Sequence, residues 1–294
     1  MDHVRKIANA VLYEGYLLWP YRESSLKNRH RWTIGGVHPE AYDPARWRMR
    51  TQCLLEAEPG ATVTVRARFL HVVARARDEM AGGEEARERE VSMPPVALPG
   101  EGRAEIDLPA GEERDGEVVR RWEALRGHVH VRAEALEPRL FRITADVVNT
   151  TPWERGTRES ALARTFVSAH TVLHAPGGRF VSSIDPPDEL RAHAESCRSD
   201  GAWPVLVGAD TMLAAPIILY DHPKISPESP GDLFDATEID QLLTLSVLAL
   251  SDEERREIRD GDPRGREILD RCTALTGAEL MRLHGVMRRT EETA

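Results

Sequence analysis

Two pairs of histidines carry the spacing that metal chemistry needs. His170 and His174 are four residues apart, which on a helix would turn both imidazoles to one side and let them share an ion with a carboxylate such as Asp185. The run between them, Thr171-Val172-Leu173, is β-branched and apolar and favours a strand. On a strand the same spacing keeps both rings on one face but about 13 Å apart, too far for one ion. His128 and His130, two apart in an alternating run, also share a face, but Arg132 and Glu134 follow on it and make it read as a solvated surface. The expectation is therefore no metal and no cofactor, with His170, His174 and Asp185 as the alternative ligand set. Asp188, Asp232, Asp235 and Asp240 could extend that set, yet 49 acidic residues make such neighbours unspecific. There is no phosphate loop ending in Lys-Ser or Lys-Thr, no G-x-G-x-x-G after a strand, no G-x-S-x-G and no H-E-x-x-H, so no catalytic residue is assigned.

A second cluster suits recognition rather than catalysis. Between Val11 and Pro39 stand Tyr13, Tyr16, Trp19, Tyr21 and Trp32, interleaved with Arg22, Lys27, Arg29, His30 and Arg31. Aromatic bodies and Arg forks are the groups that dominate protein interfaces, so Trp19, Tyr21, Arg22, Arg31 and Trp32 are expected on a partner-binding surface. From Trp19 to Arg50 seven basic residues face three acidic ones, whereas from Asp185 to Asp260 six basic face 17 acidic. A net charge of −10 would repel a polyanion, which argues against nucleic acid. Docking of the basic segment on the chain's own acidic half is the alternative to a separate partner. The loop from Asp221 to Asp235, DHPKISPESPGDLFD, is stiffened by three prolines and offers Phe234 either as a recognition anchor or as a plug at the start of a helix.

These residues must be positioned by a chain of 294 residues, long enough for one large domain or two ordinary ones. No apolar run reaches the roughly 18 residues of a membrane span, and the N-terminus lacks the apolar core of a signal peptide, so the protein is expected to be cytoplasmic. Cys53, Cys197 and Cys272 are too scattered for a disulfide framework, and the Asn149-Thr150-Thr151 sequon has no glycosylation context. The opening residues fit a short helix or a strand. From Ala61 onward ATVTVRARFLHVVARA alternates with period two, putting Val63, Val65, Ala67, Phe69, His71 and Val73 on one face of a strand. DEMAGGEEARERE then reads as a solvated loop. Strands at Arg103–Leu108, His128–Ala135 and Leu140–Val148 follow, the last two forming a hairpin. Helical spacing marks TRESALARTFVSAH, a hairpin turns at Pro176-Gly177-Gly178, and a helix begins at Asp188. Trp203–Val207 and Ala215–Tyr220 read as short strands. Three cap signals, Asp235 with Glu238, Ser251 with Glu254 and Thr276 with Glu279, open the C-terminal helices. The fold class is α+β: an antiparallel, sandwich or barrel-like β-rich part over residues 1–150, then a mixed part over 151–294 ending in helices.

Three runs, VLYEGYLLWPYRESSLKNRHRWTIGG, FVSSIDPP and IILYDHPKISPESPGDLFDATEIDQLLTLSVLALSDEE, resemble a bacterial family associated with gene clusters for NiFe hydrogenases, notably the high-affinity actinobacterial type. That resemblance implies an accessory, assembly or maturation role and, as partner, a hydrogenase subunit or maturation factor. The family has no assigned catalytic residues to carry over.

Overall fold

The computed structural model describes residues 2–13, 16, 21–22, 34–77, 80–223, 240–277 and 279. Internal contacts divide the chain into two compact units, one of Met1–Tyr16 with Trp32–Pro223 and one of Leu17–Arg31 with Lys224–Ala294.

In the first unit, helix α1 (Asp2–Tyr13) precedes strands β1 (Arg48–Glu56), β2 (Thr62–Arg77), β3 (Met80–Ser92), β4 (Val96–Ala97), β5 (Gly100–Leu108), β6 (Gly111–Asp115), β7 (Val118–Trp122), β8 (Leu125–Glu137) and β9 (Leu140–Asn149). Helix α2 (Arg158–Leu162) leads into β10 (Val167–His174) and β11 (Arg179–Phe180). A 3-10 turn at Asp188–Leu190 runs into α3 (Arg191–Ser196), and β12 (Trp203–Gly208) and β13 (Thr211–Ala215) follow. Two antiparallel sheets result: one ordered β11-β1-β9-β8-β5, the other β12-β13-β10-β2-β7-β6 with β3 and β4 also on β2. Their inner faces share one apolar core. Val63, Val65, Ala67 and Phe69 of β2 and Leu173 of β10 meet Val129, Val131, Ile143 and Ala145 of β8 and β9. The architecture is thus a sandwich of two open sheets, with helices late in the chain, and the class is α+β as the residue pattern implies.

The outer faces have separate covers. Ile7, Ala8 and Val11 of α1 pack on Val205, Leu213 and Ala215 of the second sheet. Leu54 and Leu140 of the first sheet are covered by Val181 and Leu190, with Ala194 of α3 and Cys197 just after it beside them. Past residue 150 the chain returns to the same sheets: β10 pairs directly with β2 and carries β13 and β12 on its other side.

Four local expectations are corrected. Residues 80–92 form β3 rather than a solvated loop, because β2 needs a backbone partner and the alternating Glu and Arg of β3 can be polar on both faces of an outer strand. Helix α2 lasts five residues, capped by the Thr157 hydroxyl, before Phe166 and the β-branched Val167 pass into β10. The turn at Pro176–Gly178 is present, with Gly178 N–H bonded to Ala175 O, but β10 and β11 pair with β2 and β1 respectively, so it carries the chain between sheets. The strand expected at Ala215–Tyr220 lies earlier, at Thr211–Ala215, and Pro216 ends it. The β8–β9 hairpin and the strand at β5 lie where the alternation puts them.

In the second unit α4 (Asp240–Leu248), α5 (Asp252–Asp260) and α6 (Pro263–Thr273) bury Leu243, Val247, Ile258, Ile268 and Leu269, whereas Leu242 is exposed. Ser251 and Glu254 form a full capping box, Asp262 caps α6 ahead of Pro263, and Thr276 and Glu279 exchange the reciprocal bonds of a third. The Asp235–Glu238 cap lies outside the described residues.

One buried amide ties together segments distant in sequence. Asn149 is 0% exposed; its Nδ2 donates to Val37 O and Arg164 O, both at 2.8 Å, and its Oδ1 accepts from Thr151 N–H at 2.8 Å. The sequon asparagine therefore has both amide hydrogens committed and no room for a glycan. Asn149→Ala would leave Arg164 O and Thr151 N–H without their partner and take from Val37 O the second of its two donors, and should cost roughly 2–5 kcal/mol, read as a lowered urea midpoint for the first unit. An unchanged midpoint would show that the amide does not tie these segments together.

Candidate functional site

A surface recess with mixed chemistry lies where three loops of the first unit meet the start of β12. Val37 pairs with Phe166 through both backbone bonds at 3.0 Å, and Ala169 N–H donates to Gly35 O at 3.0 Å, so residues 35–37 run alongside the start of β10. On the opposite wall Arg50 and Asp200 exchange two backbone bonds at 2.8 Å, which brings Gly201 and Trp203 against β1. Between them is a cleft of about 190 Å³ lined by Gly35, Gly36, Arg46, Arg48, Met49, Trp203 and others. Gly35 has φ +64°, and a Cβ there would fall 2.2 Å from Pro216 Cβ; only glycine lets the loop approach so closely.

The charges at the cleft are graded. Asp146 is held by Arg50 through two bonds, Nε to Oδ1 at 2.8 Å and Nη2 to Oδ2 at 2.9 Å. Arg48 is left 3.9 Å from that carboxylate, with its guanidinium 5.8 Å from the Trp47 ring centroid. Arg46 is 3.5 Å from Asp43 and largely exposed. Two loosely held guanidinium groups therefore stand beside the half-exposed indole of Trp203. Beyond Pro216 the chain alternates: Ile217 and Leu219 pack inward beneath α1, and Ile218 and Tyr220 face out, 75% and 82% exposed.

The expected partner-binding residues fare differently. Tyr21 is buried, with φ +59°, and therefore does not present its ring at a surface. Arg22 lies 3.1 Å from Glu254 and 3.9 Å from Glu257, an attachment within the second unit. Of the expected partner surface, Tyr21 is thus buried and Arg22 is ion-paired within the second unit. Trp19, Arg31, Trp32 and Phe234 lie outside the described residues.

The histidines sit on strands. His170 and His174 occupy one face of β10 as the strand reading requires, but in different company. His170 is fully buried opposite Arg68, and its Nδ1–H donates to Ser168 O at 3.1 Å. His174 Nδ1 is 3.1 Å from Thr211 Oγ1 and 3.7 Å from Asp210. Asp185 is exposed, in a turn built on the Ser182 hydroxyl. Among the described residues no group of three or more His, Cys, Asp or Glu converges on a point that would hold a metal ion. His128 and His130 do share the outer face of β8, opposite Glu105 and Arg103 of β5, with Arg132 and Glu134 in line.

Sequence reasoning missed Trp203, Arg46 and Arg48. The alternating arginines around Trp47 were visible, but nothing local says that Gly35 and Asp200 bring them to one recess. The chain matches no protein-family model, and no curated protein matches it.

Burial also sets a pH dependence. His71 and His170 are each pushed down to about 4, mainly by desolvation, with cationic neighbours (Arg89 for His71, Arg68 for His170) acting in the same direction. Burial lowers His38 and His128 as well. In the unfolded chain these rings take a proton near 6.5, whereas in the folded one His71 and His170 resist it until about 4. Their contribution is complete above 6.5 and is lost as pH falls towards 4, at roughly 3 kcal/mol per fully buried ring. Melting temperature should therefore fall steeply between pH 6.5 and 4, and the double variant His71→Gln/His170→Gln should flatten that slope whatever its stability at pH 7. An equal slope in the variant would assign the acid sensitivity to other groups.

Proposed function

We propose that this chain is a non-catalytic accessory protein that binds a protein partner, and that the Trp203 cleft with its apolar rim is part of the binding surface. The observation that supports this reading is the exposed indole of Trp203 in a cleft that Arg46 and Arg48 also line, with Ile218 and Tyr220 exposed in the chain just beyond its wall residue Pro216. Large apolar side chains exposed together are costly unless something covers them, and aromatic anchors ringed by arginine are what interfaces concentrate at their centres. The cleft is open at the surface and floored by Met49 and Val37, which suits an inserted side chain. A carboxylate on that insertion would meet Arg46 and Arg48.

The resemblance to the hydrogenase-associated family supports a hydrogenase subunit or maturation factor as that partner, and a cytoplasmic place of action. No helix among the described residues is long and apolar enough to cross a membrane. The acidic balance of the chain disfavours nucleic acid as an alternative.

The test is affinity capture from the native cells with the wild-type chain and with Trp203→Ala/Tyr220→Ala. Wild type should retain hydrogenase subunits or their maturation factors, and the variant should lose at least about tenfold of that yield with an unchanged melting temperature. Undiminished capture by a folded variant would remove this surface from the reading. Capture of nothing by wild type would remove the reading itself.

A further inference from the structure

The outer face of β2 holds a guanidinium that the fold has buried without fully satisfying. Arg68 is 5% exposed, beneath α1 and opposite His170. Its Nη2 donates to Asn9 Oδ1 at 2.7 Å and reaches Glu88 at 3.4 Å, and its Nε lies 3.4 Å from Glu90. Its Nη1 is buried and makes no hydrogen bond among the described residues. A buried charged donor left unpaired is expensive, so the atom calls for an acceptor.

The space for one is adjacent. A recess of about 60 Å³ between α1 and the sheet is lined by Arg68, Arg66 and Arg5, by Glu90, and by the apolar Val4, Ala8 and Val172. We infer that this recess is a binding site for a small tetrahedral oxyanion, a phosphate or sulfate group. The volume suffices: at about 10–15 Å³ per water-sized centre, about 60 Å³ has room for roughly four to six oxygen-sized atoms, enough for the four such a group carries. The charge matches too. Three arginines stand against Glu88 and Glu90, leaving one positive charge uncompensated in this set. Glu90 occupies Nε and keeps it from the anion, and Nη1 is the donor left over. Val4, Ala8 and Val172 exclude water from one side, which strengthens each N–H···O contact to the bound group. The site is separate from the Trp203 cleft, with which it shares no lining residue, and does not depend on the partner-binding reading.

Inorganic phosphate titrated into the full chain at constant ionic strength, with chloride as the balancing salt, tests the assignment by calorimetry. Wild type should saturate with one equivalent. Arg68→Met should abolish binding, and because that change in a buried position endangers folding, the exposed Arg5→Gln serves beside it and should weaken binding about tenfold. Glu90→Gln removes the opposing carboxylate and should tighten binding. A phosphoserine arm locates the source of the group: binding as tight as that of phosphate assigns the site to a phosphorylated partner, and binding of the free dianion alone assigns it to an inorganic ion. A response no larger than that to chloride, or identical affinities in wild type, Arg5→Gln and Glu90→Gln, overturns the assignment.

Discussion

Strand β2 has to satisfy its backbone on both edges along most of its length, and the rest of the first unit is arranged to do that. One edge takes β4 and then β3 in a long hairpin. Residues 64–70 also pair with β10, and residues 74–77 also pair with β7. Since β3 spans 66–77 as well, β10 and β7 must share the remaining edge in tandem. The same strand buries Val63, Val65, Ala67, Phe69, His71 and Val73 on its inner side, so a slip of one residue would turn Arg66 and Arg68 into the core. Register, core and the placement of Arg68 under α1 follow from one constraint.

Much of this was legible where the chain obeys a local period. The alternation of β2 named its inner face residue by residue, the Leu136–Arg139 turn announced the β8–β9 hairpin, and the Ser-x-x-Glu and Thr-x-x-Glu signals located two helix starts. What could not be read was decided by partners distant in sequence. β3 carries six charged residues and two glycines among its 13, and only its pairing with β2 makes it a strand. The run after Thr157 has good helical spacing, but a five-residue helix yields to β10 because β2 and β13 both offer open edges there. Even the alternation of β2 misled on one point: Leu70 and Val72, on the supposedly polar side, are buried too.

The N-terminal aromatic segment shows the same limit in sharper form. Aromatic and basic clustering near the N-terminus is a compositional signal, and composition does not say which way a ring points. Tyr21 points inward and Arg22 is spent on Glu254 and Glu257. The exposed Ile218 and Tyr220 come instead from a stretch with no compositional mark, because their exposure follows from Pro216 ending β13 and from the alternation that sends Ile217 and Leu219 inward.

The pairing of β1 with β9 has a kinetic meaning. Arg48 sits opposite Val148, so the strand that opens the first sheet cannot dock until about a hundred residues behind it have been made. The hairpins β2–β3 and β8–β9 close over short loops and need no such wait. During synthesis on the ribosome β1 therefore emerges early with its apolar residues Met49, Cys53 and Leu55 lacking their cover, and the nascent chain passes through an interval in which an unpaired strand is open to a chaperone or to a neighbouring copy.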